Sequence, residues 1–219
     1  MDINTTRLRC LLGWLAVLVP WIVCLFVCAF PPSISETWYT NACTPFMIIL
    51  GASSILLISY KGYGTVDDVI TTITGILGIG ICLFPCYPTL EVRAMSHFSG
   101  LIPTPFMLPY ETSSNLHLIC AYIFFGLLAA NALFLFTKSS GEMTENKKKR
   151  NVIYRVCGIG MLASFLLMLL ELIPAVANSS FPLVWFVEML ALTFFGVSWL
   201  TKADYYPWLF ADKKLDVEK

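Results

Sequence analysis

The chain has 219 residues, of which 58% are hydrophobic and 13% charged, with zero formal net charge, a sequence pI near 6.7 and a mean hydropathy of +0.76. A soluble fold of this size has too little interior to hide so much apolar surface, and no basic excess is present to draw nucleic acid. Composition thus points to an all-α integral membrane protein.

Six stretches approach the roughly 20 apolar residues with which a helix crosses the hydrocarbon core while satisfying its own backbone. They run approximately over 10–30, 43–60, 69–87, 116–136, 152–174 and 182–201, and the second is the shortest. The first follows Arg7 and Arg9 but is too long for a signal peptide and lacks a small-x-small cleavage motif, so it reads as a retained anchor. Pro20 near its middle is expected to bend it. Trp14 and Trp21 read as lipid or packing contacts.

The third stretch opens on Asp67 and Asp68, placed to cap helix amides or to form an inner ion pair with Arg155 or Lys202. Its Thr71-Thr72-Ile73-Thr74-Gly75-Ile76-Leu77-Gly78-Ile79-Gly80 run suits close helix approach and hydroxyl bonds between helices, which makes the helix central. A pore lining would use the same residues. Cys43 and Cys86 fall at the outer ends of neighbouring spans and are a candidate disulfide if their Cα atoms come within about 7 Å.

The outer segment 88–115 holds Pro88, Pro103, Pro105, Pro109 and Gly100, a composition that disfavours a long helix and suits a lid over the bundle or a plain connector. The inner segment 137–151 ends in Lys147-Lys148-Lys149-Arg150, a topology signal that also suits anionic lipid headgroups. Asn178-Ser179-Ser180 matches a glycosylation sequon, to which no role is assigned.

Three ionisable residues fall within spans, where each costs roughly 2.5 to 3.5 kcal/mol to insert and is a site candidate by default. His117, Glu171 and Glu188 all belong to the outer half of the membrane. Converging, they would form a ligand or proton site; apart, they are interfacial groups or helix–helix hydrogen bonds. The eight cysteines are scattered as packing residues. Cys82 and Cys86 lie one helical turn apart, but with two histidines in the chain the ligands for a metal are too few. No metal, cofactor or catalytic residue is expected.

Cutting the chain at these spans puts all of the 14 Lys and Arg except Arg93 on one side. The positive-inside rule then predicts a six-transmembrane-helix bundle, one membrane domain over 1–219, with both termini in the cytoplasm.

Several motifs resemble a group of bacterial six-span membrane proteins of the DRAM and FGF-receptor-activating-protein superfamily. They are Leu83-Phe84-Pro85, Leu116-His117 with Phe124-Phe125, Phe134-Leu135-Phe136-Thr137-Lys138-Ser139, Asn151-Val152-Ile153-Tyr154-Arg155-Val156-Cys157-Gly158, and Glu188 with Phe195-Gly196-Val197-Ser198-Trp199-Leu200. Together they cover roughly residues 50–203. The resemblance implies a six-helix bundle in the plasma (bacterial inner) membrane and no settled activity.

Function classes are ordered by elimination. A non-enzymatic module that binds lipid or a partner comes first, and a small transporter or channel with an outer-leaflet polar site is the alternative. An intramembrane hydrolase is last, because His97 and His117 form no HxxxH pair and neither a phosphate loop nor a GxSxG elbow occurs. The expected partners are membrane lipids, including anionic headgroups on the cytoplasmic face; a homo-oligomer is compatible with such a bundle.

Overall fold

The apolar stretches fold as helices because lipid offers their backbone no other partner. In a computed structural model the described residues are 3–62, 64–88, 106–139, 143–177 and 179–205. The structure is 79% helical and holds no strand among these residues. Its main helices are α1 (Ile3–Val27), α2 (Cys43–Ser59), α3 (Thr65–Leu83), α4 (Tyr110–Ala130), α5 (Glu145–Met168) and α6 (Leu183–Lys202). All but α2 are long and apolar enough to cross a membrane, and α2 has 17 residues. The chain is a multi-pass membrane protein. Large apolar side chains cover its outer surface, as with Leu11, Leu18 and Leu25 on α1 and Val152, Ile159 and Leu166 on α5, each set spaced by seven residues.

Several predicted boundaries move, for local reasons. The third helix stops at Leu83 because Pro85 has no amide to continue it. The fourth starts at Tyr110, just after Pro109, so the end of the 88–115 segment is helical. The fifth starts at Glu145, where the Thr144 hydroxyl accepts from the Lys147 amide at 3.2 Å, an N-cap that places the basic run on a helix rather than in a loop. At Pro20, α1 continues without interruption. The predicted lid falls largely on residues 89–105, which lie outside the described residues, as do Arg93, His97, Asn178 and the tail beyond Tyr205.

Each helix packs on its neighbours in the chain, and α1 returns to α6, so the six close into a ring. Small residues set the tightest crossings. A Cβ on Gly196 would stand 2.5 Å from Val17 Cγ2 and 2.6 Å from the Gly13 carbonyl, and one on Gly75 would stand 2.5 Å from the Ser54 carbonyl. These distances leave room only for hydrogen, as in other close helix contacts within membranes. The small face of α3 therefore serves packing against α2; α3 is a member of the ring rather than its centre. Its hydroxyls also turn inward on the helix: Thr71 donates to the Asp67 carbonyl at 2.9 Å and Thr74 to that of Ile70 at 2.7 Å.

Gly196→Val should push α1 from α6 and cost about 1 to 3 kcal/mol, the usual range for overpacking. Gly126→Ala, where a Cβ would meet nothing within 4 Å, should be neutral. Thermal unfolding in micelles checks both, and equal melting temperatures would contradict the close-contact reading.

Candidate functional site

Inside the ring lies a cavity of about 340 Å³, lined from all six helices and mostly apolar. That volume falls at the lower end of the ~300 to 1,000 Å³ typical of small-molecule sites. Its walls are side chains such as Val19, Leu50, Phe124, Phe165 and Ala191. Of α3 only Ile81 reaches it, so the Thr and Gly run faces elsewhere.

Polar groups gather at the end formed by the α1–α2, α3–α4 and α5–α6 connections. Glu188 on α6 accepts from the Ile34 amide at 2.5 Å and from the hydroxyls of Ser33 at 3.2 Å and Ser35 at 3.1 Å. Around it the segment 31–42, with a 3₁₀ turn at Ser35–Tyr39, crosses the end of the ring as a strap. The Trp185 amide donates to the Pro32 carbonyl at 3.0 Å, and the Tyr39 hydroxyl donates to the Cys86 carbonyl at 2.8 Å, which ties the strap to the α3–α4 connection. Burial pushes the Tyr39 phenol and the Cys86 thiol above their ordinary pKa ranges. Both stay protonated at neutral pH.

His117 on α4 is buried at the same end. Pro85 leaves the Ile81 carbonyl without its helical donor, and two α4 side chains one turn apart meet the frayed end of α3. Ser113 donates to the Pro85 carbonyl at 2.9 Å, and His117 Nδ1 lies 2.8 Å from the Phe84 carbonyl. A carbonyl accepts only, so Nδ1 donates there. The ring also sits beside the Ile81 carbonyl. Closing the end of α3 is thus one role of this histidine, and its ring still lines the cavity.

His117 and Glu188 therefore share the cavity, whereas the third predicted member does not. Glu171 lies in a 3₁₀ turn, Leu169–Leu172, half-buried and off the lining. No hydrogen bond or ion pair joins His117 to Glu188; each is held by backbone or strap groups instead. In place of Glu171 stands Glu36, buried in the strap and lining the cavity. Its Ser33-Ile34-Ser35-Glu36 setting was the available sequence signal, in a connection too short to draw notice. Among the described residues the lining carries two carboxyl groups, Glu36 and Glu188, one imidazole, and no Lys or Arg.

The opposite end is closed. Trp199 is fully buried, with ring centroids of Tyr60, Phe136 and Phe195 at 4.9, 5.2 and 6.0 Å. Beyond this aromatic floor lies a charged layer. Arg9 donates to the Lys202 carbonyl at 3.3 Å and to the Tyr60 hydroxyl at 3.2 Å, and Lys202 Nζ lies 5.0 Å from the Phe136 ring centroid. Asp67 is buried, pairs with Lys138 at 3.3 Å and stands in electrostatic range of Lys202. Asp68 pairs with Lys61 at 3.6 Å and accepts from the Gly62 amide at 2.7 Å.

Of the two predicted inner partners, Lys202 lies in range of Asp67 and Arg155 does not pair among the described residues. Arg155 is exposed, Lys138 and Lys61 pair with the two aspartates, and no side chain caps α3. The basic run also divides, because its helical spacing turns Lys147, Arg150 and Tyr154 to one face. Lys147 Nζ donates to the Phe136 carbonyl at 2.8 Å and lies over the Tyr154 ring, while Arg150 pairs with Asp204. Lys148 and Lys149 are the exposed pair. Cys43 and Cys86 are free thiols, and Cys43 Sγ meets Met47 Sδ at 3.7 Å.

No family model, curated protein or solved structure matches the chain. The likeness to the six-span group rests on the quoted motifs alone.

Proposed function

We propose that this protein is a binding module for an amphipathic molecule, whose apolar body fills the central cavity and whose cationic or hydrogen-bond-donating head lies among Glu36, Glu188 and His117. The observation that carries the reading is the lining itself: apolar walls from every helix, acceptors gathered at one end, and no Lys or Arg among the described residues. Two carboxyl groups in a low-dielectric site favour a positive partner by many times what they would in water. An aromatic floor under the cavity supports binding over conduction. A hydrolase is disfavoured because the Ser113 hydroxyl and His117 Nδ1 are each engaged by a carbonyl rather than by one another.

In this reading the helices cross six times. α2 spans about 25 Å at 1.5 Å per residue and lies between α1 and α3, which supports its crossing with them. With an even number of spans, the distribution of Lys and Arg supports both termini in the cytoplasm and the strap outside, in a plasma membrane such as the bacterial inner membrane. Lys148 and Lys149 then meet anionic headgroups.

Titration of the purified protein in micelles with a fluorescent long-chain amine, and with the carboxylate of equal chain length, tests the reading. Saturable binding of the amine, at least tenfold tighter than that of the acid and lost in the cavity-filling variant Ala191→Trp, is expected. Equal binding of the two, or binding indifferent to Ala191→Trp, contradicts it.

A further inference from the structure

Both ends of the cavity are covered: one by the strap that Glu188 and Tyr39 hold down, the other by the ring cluster around Trp199. The wall is not uniform. Among the described lining residues, those of α1, α2, α5 and α6 are buried or half-buried. On α4, however, Leu118 is 44% and Tyr122 52% exposed on the protein's outer surface while also lining the cavity. With Ser114 they form a stripe spaced by four residues, one face of a helix that is open on both sides.

The helix facing that stripe is α5. Among helices consecutive in the chain, α4 and α5 pack most sparsely, and one tight contact between them lies at the floor end. There the π turn Asn131–Leu135 extends α4, and Gly158 of α5 lies tight against Leu133 and the Ala129 carbonyl. Toward the strap, aromatic rings meet across the two helices. Phe165 of α5 has its ring centroid 5.7 Å from that of Tyr122 and 5.2 Å from that of Phe125. Phe125 and Phe165 also line the cavity. Rings in this arrangement leave by rotamer change, without unfolding a helix.

We infer that the cavity is loaded sideways, from the outer leaflet through the Tyr122–Phe165 slit between α4 and α5, so that its occupant is a single-chain lipid amine dissolved in the membrane rather than a solute taken from water. The inference rests on the binding reading above and adds to it the source and the route of the ligand. A chain lying in the leaflet reaches the slit at the depth of its own hydrocarbon. Its amino group then rises along the Ser114 side of α4 to the carboxyl groups beneath the strap, and the long chain replaces apolar contacts with lipid by equivalent contacts with the walls.

The test is a loading experiment on the full chain reconstituted in phosphatidylcholine vesicles that carry a diazirine-bearing octadecylamine. Light-induced labelling of cavity peptides is followed with time. Phe165→Ala, which removes the ring from the slit, should raise the initial loading rate several-fold. Tyr122→Cys with Phe165→Cys, bridged by a bifunctional maleimide, should lower the rate at least tenfold relative to the same protein left unbridged. Bridging after loading should trap the label. The parent chain treated with the same reagent controls for its native thiols. Cavity labelling at an unchanged rate in both Phe165→Ala and the bridged protein overturns the lateral route and leaves the binding reading standing. No cavity labelling in the unmodified chain removes the binding reading, and the route with it.

Discussion

Glu188→Leu is expected to cost about 3 kcal/mol or more and to free the strap from the rest of the protein. The substitution strands the Ile34 amide and the Ser33 and Ser35 hydroxyls, which now donate to one carboxylate. Each buried donor left without an acceptor costs about 1 to 3 kcal/mol, reduced where the strap relaxes into water. Glu188→Gln keeps one acceptor oxygen but presents an amide group to the remaining donors, and should cost about 1 kcal/mol. Two readouts separate the strap from the helices: the melting temperature in micelles, and protease cleavage within 31–42. A Leu variant as stable and as resistant as the parent would show that the strap is held by Tyr39 and Pro32 alone.

The second large effect is expected at the floor. Asp67 is 5% exposed and in electrostatic range of Lys202, whose carbonyl accepts from Arg9, and the two cations are each 6% exposed. Removing one member of a buried ionic set leaves charge of one sign with the desolvation already incurred, which typically costs 3 to 5 kcal/mol. Asp67→Ala should therefore be severely destabilising. Lys202→Met keeps the apolar stem over Phe136 and removes a charge, so Asp67→Ala with Lys202→Met should cost at least about 1 kcal/mol less than the two singles added. Additivity within about 0.5 kcal/mol would mean that Asp67 acts through Lys138 only.

How much of this was legible in the sequence follows from the range of the interactions. Spans are written in runs of some 20 apolar residues, so hydropathy located all six main helices and erred only at their ends. Glu188 was legible as a costly group inside a span. What it binds was not legible, because Ser33 and Ser35 lie more than 150 residues away. His117 illustrates the intermediate case. Pro85 announces an orphaned carbonyl, and a buried donor to meet it is a reasonable expectation, but the pairing of α3 with α4 depends on the fold of the ring. Glu36 was missed because an acid between two spans reads as a solvated loop charge; only the strap's position over the cavity makes it part of a site. The basic run misled in the opposite direction. A four-residue cluster suggests a single surface, yet the N-cap at Thr144 sets a helical phase that turns Lys147 and Arg150 inward and Lys148 and Lys149 out.

The central claim is that the cavity between the strap and the aromatic floor holds the chain of a lipid amine. Mapping the photolabel of the diazirine-bearing octadecylamine by peptide mass spectrometry at equilibrium tests it most directly. The predicted result is modification at wall positions such as Leu50, Phe124 and Ala191, competed away by excess unlabelled amine. Modification confined to outer-surface residues such as Ile76 and Ile159, and indifferent to competitor, would contradict it.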